Sequence, residues 1–98
     1  MVDFQYDTVN FLLKKNYIKT FRGIFTHIPL SIIAKDLGTN NNRMRRMHNN
    51  LEEFSFREIF VIASCIGCDP MKLILLLIEE IQEDKSQIAQ GKQKVNKN

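Results

Sequence analysis

The residues with the clearest chemical character form one polar run near the middle of the chain. Residues 40–50 contain five asparagines and three arginines and no acidic residue. Arginine pairs in two-pronged fashion with guanine, and asparagine with adenine, in the major groove of DNA. The run therefore has the composition of a surface that reads base edges. A solvated helix face is the alternative interpretation of the three arginines, since most runs of charge have no other role.

Helical periodicity divides this run into two sides. Met44 and Met47 lie three residues apart, and at about 100° per residue the opposite direction is occupied by polar side chains. These are Asn42, Arg45, Arg46 and Asn49. Asn41 belongs to the exposed first turn, and Arg43 lies on a flank. We predict a helix over residues 40–48 that is buried through its methionines and presents asparagine and arginine to solvent.

A second short helix is predicted directly before this one. Pro29 suits a first helical turn, and the following apolar residues recur at i, i+3, i+4 and i+7, which gives one buried stripe. The stripe consists of Leu30, Ile33, Ala34 and Leu37. Gly38 can end the helix in a left-handed conformation, and Thr39 or Asn40 can cap the next. Two helices joined by so short a glycine-containing turn indicate a helix-turn-helix.

Further helices are predicted on both sides. Residues 4–25 have helical spacing with Asp7 as the N-cap, and they form either one helix or two. Ser55 and Glu58 make a capping box for a helix ended by Gly67, and Asp69 with Pro70 begins a last helix that runs to about residue 88. Tyr17 is among the residues at helical spacing in the first of these segments. The buried face of the helix before Gly67 is expected to consist of Phe56, Ile59, Phe60, Ala63 and Ile66.

The segment from Leu30 to Leu73 resembles the phage-repressor/Cro-type (XRE-like) helix-turn-helix DNA-binding family in its apolar and glycine pattern. The residues that carry the resemblance are 33–38, Met44, Met47, Ser55, Phe56, Ile59, Ile62, Ala63, Ile66, Gly67 and Leu73. The resemblance implies that residues 40–47 form a recognition helix. It implies base contacts from Asn41, Asn42, Arg45 and Arg46. Contacts with the DNA backbone would come from Asn40, Arg43 and Asn49.

The expected fold is all-α, with about five helices in one lambda-repressor-like domain over residues 1–90. Residues 1–25 form an N-terminal helical extension, 29–48 the helix-turn-helix, and 55–67 and 70–88 the supporting helices. Residues 91–98 are expected to be a flexible tail, because they have no periodicity.

The distribution of charge favours a local contact with an anion. The whole chain carries +3, residues 30–51 also carry +3, and residues 52–84 carry −6. The expected partner is double-stranded DNA and the expected role is transcription regulation, as in a repressor. The alternative is a protein-interaction module, antitoxin-like or an assembly partner, with little affinity for DNA. Glu52 and Glu53, the acidic block, and the apolar Ile32 and Val61 off the buried stripes support that alternative.

The last predicted helix has more apolar residues than one buried stripe needs. Residues 73–78 are apolar in every direction, and Ile74, Ile78 and Ile81 follow a 4-3 spacing close to a coiled-coil seam. The seam serves either the core of the domain or a homodimer interface. A homodimer would suit an operator with two-fold symmetry.

Catalytic chemistry is not indicated. No phosphate-binding glycine loop or paired catalytic carboxylates occur, and His27 and His48 have no partner at a fixed spacing. Cys65 and Cys68 lack the further ligands of a zinc site, so we expect them to pack as small apolar residues. We expect no enzyme activity, cofactor, metal or small-molecule substrate. Without a secretory signal or an apolar run of about 20 residues, the expected location is cytoplasmic.

Overall fold

The computed structural model describes residues 4–91, which form six α-helices, one 3-10 turn and no strand. The predicted all-α class is confirmed. The helices are α1 (Phe4–Lys14), α2 (Phe21–Ile24), α3 (Leu30–Leu37), α4 (Asn41–Asn49), α5 (Phe56–Ile66) and α6 (Pro70–Gly91), with the 3-10 turn at Leu51–Glu53. Of the predicted tail, Gly91 belongs to α6 and residues 92–98 lie outside the described residues.

The N-terminal region contains two helices. Asn16 takes a left-handed conformation with φ 62° after α1 ends, and asparagine tolerates this conformation better than most residues. The Thr20 side chain then caps α2 by accepting from the Gly23 N–H at 3.0 Å. Tyr17 lies between α1 and α2 and is 71% exposed, so its expected place within a helix is wrong. The prediction of Asp7 as N-cap is also wrong, because Asp7 lies within the first turn of α1.

Helix α1 is held against α3 and α5 by both apolar and polar contacts. Tyr6 is buried, and its hydroxyl donates to Asp36 Oδ2 at 2.6 Å. Burial and this hydrogen bond raise the pKa of Tyr6 far above its ordinary value. Asn10 Nδ2 donates to the Ile66 carbonyl at the end of α5, at 3.1 Å. Helix α1 therefore packs with α3 and α5 in one core.

The turn between α3 and α4 follows the sequence expectations. Gly38 ends α3 with φ 73°, and a Cβ there would meet nothing within 4 Å, so the requirement for glycine is conformational. The Asn40 side-chain oxygen accepts from the Arg43 N–H at 2.7 Å and so caps α4. Asn50 follows α4 with φ −129°, outside the left-handed region. The 3-10 turn at Leu51–Glu53 then connects α4 to the start of α5.

Helix α5 begins with the predicted capping box and ends at Gly67, which has φ 88°. Its inward side carries Ile59, Ile62, Ala63 and Ile66 together with Glu58. Phe56 and Phe60 are 71% and 54% exposed, so the expectation that they are buried is wrong. The buried side of α5 is centred on Ile62 and includes Glu58. Both phenylalanine rings therefore lie outside it.

The core is a single cluster to which every helix contributes. Over residues 70–87 of α6, the buried residues are Leu73 and Leu77, and the helix packs on α5, on α2 and on the 3-10 turn. An aromatic group lies beneath the end of α4: Phe21 meets Phe25 and Phe54 edge-on, with ring centroids 5.4 and 5.1 Å apart. Phe25 also meets the His48 ring edge-on, with centroids 5.5 Å apart, so this group contacts the last turn of α4.

Candidate nucleic-acid interface

Helix α4 is attached to the core by two side chains. Met44 and Met47 are completely buried, as predicted. The remaining positions of the helix are polar, and four of them form an exposed surface that we call the reading face. The reading face consists of Asn41, Asn42, Arg45 and Arg46. All four residues expected to contact bases thus lie on the solvent side of one helix.

Weak polar contacts order the reading face. Arg45 Nη1 donates to Asn42 Oδ1 at 3.2 Å, and Arg46 Nε donates to Glu53 Oε1 at 3.0 Å. The Arg46 and Glu53 side chains are 58% and 40% exposed. An exposed ion pair such as Arg46–Glu53 contributes only about 0–1 kcal/mol, and the Arg45–Asn42 hydrogen bond is also exposed, so both arginines can exchange these partners for a ligand at small cost.

Arg43 has a different environment from the reading face. Its Nη1 donates to Glu58 Oε2 at 2.7 Å, and Glu58 is buried. Burial alone would raise the pKa of the Glu58 carboxyl, but the Arg43 guanidinium and the Ser55 N–H and hydroxyl outweigh it and hold that pKa below its usual range. Glu58 is therefore ionised at neutral pH, and it joins α4 to the start of α5.

The other two residues expected near phosphates are exposed at the ends of α4. Asn40 uses its side-chain oxygen as the N-cap, and Asn49 is the last helical residue. Glu52 and Glu53 follow the helix, and each forms an ion pair with a basic side chain. Glu52 Oε2 lies 2.7 Å from Lys85 Nζ, and Glu53 contacts Arg46. Pairing reduces the negative potential that these two acids would otherwise place beside the reading face.

Arg22 holds the C-terminal end of α4, and no sequence argument identified it. Its Nε donates to the His48 carbonyl at 2.8 Å and its Nη2 to the Asn49 carbonyl at 3.4 Å. Its Nη1 contacts Glu80 Oε2 at 3.0 Å and Asp84 Oδ2 at 3.1 Å on α6. We call these five residues the Arg22 cluster. A guanidinium satisfies the last carbonyls of a helix and complements the negative end of its dipole.

The residues of the expected dimer seam differ in exposure. Ile78 is 45% exposed, whereas Ile74 and Ile81 are partly buried and pack against the core. Leu75 and Met71, which were not expected in the seam, are 54% and 55% exposed. Helix α6 therefore does expose apolar side chains, and the most exposed of them, Met71 and Leu75, lie outside the predicted seam.

Cys65 and Cys68 pack against the core as predicted. Burial, with the charge of Asp69 as a smaller contribution, raises the pKa of the Cys68 thiol. Within residues 4–91, no group of three or more histidine, cysteine or acidic residues could hold a metal ion.

Comparisons with protein-family models, with curated proteins and with solved structures find no match to this chain. Among the helices over residues 4–91, none has the length and apolar character needed to cross a membrane.

Proposed function

We propose that this protein binds double-stranded DNA in a sequence-specific manner through α3 and α4, and acts as a transcriptional regulator. One observation carries the proposal: α4 is anchored by buried Met44 and Met47, and its exposed side presents only asparagine and arginine. These exposed side chains contribute little to the core, so core packing does not explain why they are asparagine and arginine. Recognition of base edges provides one.

The dimensions of α4 suit this role. An α-helix is about 10–12 Å across with its side chains, so a major groove about 12 Å wide admits it, and the nine residues of α4 give about 13 Å of helix to lie along the groove. Arg45 and Arg46 can each reach a guanine with two donors, and the Asn42 carboxamide can pair with an adenine. Arg43 and the Arg22 cluster fix the two ends of the helix, so the reading face has a defined orientation before it meets a ligand.

We expect Asn42→Ala and Arg46→Ala each to reduce sequence discrimination by about 1–3 kcal/mol at one base pair, because each removes a two-pronged contact. The measurement first selects bound fragments from a random duplex pool. Dissociation constants are then compared on the selected duplex and on duplexes with single base changes. Gln82→Ala, an exposed polar change on α6, is the matched control. Equal weakening on selected and random DNA would instead place the residue at the phosphates.

We expect Glu53→Gln to strengthen binding to duplex DNA several-fold. The substitution removes the carboxylate that holds Arg46 Nε at 3.0 Å and lowers the negative potential beside the reading face. The measurement is a titration of duplex DNA at several salt concentrations. Glu83→Gln removes one negative charge at an exposed position on α6 and serves as the control. An equal gain in the control would show that net charge, rather than release of Arg46, is responsible.

A protein-interaction module on the same fold is the second candidate function. The observation that favours it is the exposure of Phe56 and Phe60, because exposed aromatic side chains are enriched where proteins bind one another. Salt dependence separates the two candidates. Contact with DNA phosphates releases counterions, so the affinity must fall by about one logarithmic unit per tenfold rise in salt for each phosphate contacted. Absence of duplex binding even at low salt would reject the DNA proposal and favour the second candidate.

A further inference from the structure

Helix α1 exposes a narrow stripe of side chains that the proposed DNA contacts do not use. Phe4 and Phe11 are 79% and 54% exposed, and Thr8 and Lys15 are exposed beside them. The four residues follow a 4-3-4 spacing, so at about 100° per residue they lie within about 60° of one another. Lys15 follows the last residue of α1 but keeps its period, because its N–H donates to the Phe11 carbonyl at 3.0 Å and its Nζ lies 5.8 Å from the centre of the Phe11 ring. We call these four residues the α1 stripe.

A second stripe with the same spacing is exposed on α6. Met71, Leu75 and Ile78 are 55%, 54% and 45% exposed, and the exposed Gln82 completes the 4-3-4 pattern. We call these four residues the α6 stripe. Each stripe belongs to one helix, so the helical period alone places its members side by side. At 1.5 Å per residue both stripes are about 17 Å long, and in each the first and third side chains are large, apolar and about two turns apart.

The charged side chains in or next to the two stripes have opposite signs in the same order along the helix. Those of α1 are one acid and two bases, and those of α6 are one base and two acids. They are Asp7, Lys14 and Lys15 on α1, and Lys72, Glu79 and Glu83 on α6. All six are exposed, and none has an ion-pair partner among the side chains that the structure describes. A parallel alignment of the two stripes would therefore bring unlike charges together at both ends, whereas an antiparallel alignment would bring like charges together.

We propose that the α1 stripe of one copy of this chain docks on the α6 stripe of a second copy, in a parallel head-to-tail contact. Phe4 would lie beside Met71, and Phe11 beside Ile78. The lysines at the end of α1 would meet the glutamates of α6. The chain itself supplies the partner surface, since the two stripes match in length, in apolar spacing and in charge.

A head-to-tail contact has a consequence for the size of the assembly. It joins two different surfaces, so it is not two-fold symmetric. The pair retains a free α6 stripe on one copy and a free α1 stripe on the other. Association therefore continues past the dimer, into a closed ring or an open chain.

The contact is small, so we expect the association to be weak. With about 150–250 Å² for each large side chain, the observed exposures give about 500 Å² of apolar surface from the two stripes together. Interfaces below about 1,200 Å² are characteristic of weak encounters. We expect a dissociation constant of about 0.1–1 mM that rises with salt, because salt screens exposed charges.

The test measures the average mass of the full chain by sedimentation equilibrium from about 10 μM to about 1 mM. We expect the wild type to rise from 11.5 kDa past twice that mass. Phe11→Ser and Ile78→Ser should each reduce the association constant at least tenfold, because each removes a large apolar side chain from one stripe. Phe60→Ser is the matched control, since Phe60 on α5 is also 54% exposed. Circular dichroism confirms folding, and Phe4→Ser or Leu75→Ser replaces a variant that unfolds.

A mixture of the two test variants distinguishes this contact from a symmetric one. Phe11→Ser retains an intact α6 stripe and Ile78→Ser an intact α1 stripe. An equimolar mixture should therefore regain association but stop at a pair of twice 11.5 kDa. Charge reversal is the second check: Lys15→Glu should weaken association of the full chain, and Glu79→Lys added to it should restore association.

Four results would overturn the head-to-tail contact. They are a wild type that stays at 11.5 kDa at about 1 mM, a control weakened as much as the test variants, association unaffected by Phe11→Ser, and a variant mixture that stays monomeric. Association that survives Phe11→Ser but not Ile78→Ser would show that α6 pairs with itself. A monomeric wild type that loses affinity for duplex DNA on Phe11→Ser would assign the α1 stripe to DNA. The mass measurements need no DNA, so their failure and the failure of the proposed function are distinguishable.

Discussion

Replacing Arg22 with alanine is expected to lower the free energy of unfolding by about 2–3 kcal/mol. The Glu80 side chain is only 13% exposed and would lose the guanidinium that pairs with it. The carbonyls of His48 and Asn49 would lose their donor as well. The expected loss lies below that of a fully buried ion pair, because the Arg22 side chain is 26% exposed and Asp84 is 40% exposed. Urea denaturation followed by circular dichroism measures the change.

Two variants show whether geometry or charge accounts for that loss. Arg22→Lys keeps the charge but cannot reach two carbonyls and two carboxylates together, so most of the loss should persist. Lys19→Ala removes an exposed cation that lines the same acidic groove beside Glu80 and Asp84, and it should cost less than about 0.5 kcal/mol. A loss as small in Arg22→Ala as in Lys19→Ala would show that the Arg22 cluster does not stabilise the fold.

The Ala63→Glu variant is expected to be unfolded. Ala63 is 1% exposed on the inward side of α5, where a carboxylate would have neither water nor a cation. Burial of an unpaired charge together with the added volume costs about 5 kcal/mol or more, which is comparable to the whole stability of a small domain. Loss of the helical circular dichroism signal and of cooperative melting measures the effect.

Ser64→Glu is the matched control for Ala63→Glu, because the next residue of the same helix is exposed. It introduces the same side chain and the same change in net charge, but at a position in contact with solvent. The control should remain within about 0.5 kcal/mol of the wild type. A folded and cooperative Ala63→Glu protein would contradict the described packing of α5.

The sequence predicted those features that depend on neighbouring residues. Gly38 and Gly67 end helices in left-handed conformations, and Ser55 with Glu58 forms the predicted capping box. Each signal acts within one helical turn, so the identities of a few adjacent residues are sufficient. Burial of Met44 and Met47 was also predictable, because every other residue of α4 is polar.

The errors have an equally physical origin. Helix α5 has apolar residues around most of its circumference, so periodicity could not decide whether Phe60 or Ile62 faces inward. Glu58 decides the rotation, because its inward carboxylate is compensated by Arg43, 15 residues away. Arg22 was missed for the same reason, since its partner Glu80 is 58 residues distant. Pairings over such separations depend on the assembled fold, which no local pattern contains.

In α4, the residues that hold the helix in place are different from the residues that face outward. Two buried methionines and contacts at either end hold the helix, whereas Asn41, Asn42, Arg45 and Arg46 fill no space in the core. Substitutions among these four residues should change stability little while altering what the helix contacts. Under the proposed function, this scaffold could acquire a new operator preference through a few outward substitutions without compensating changes elsewhere. Related regulators could then diverge in their targets while keeping the same core.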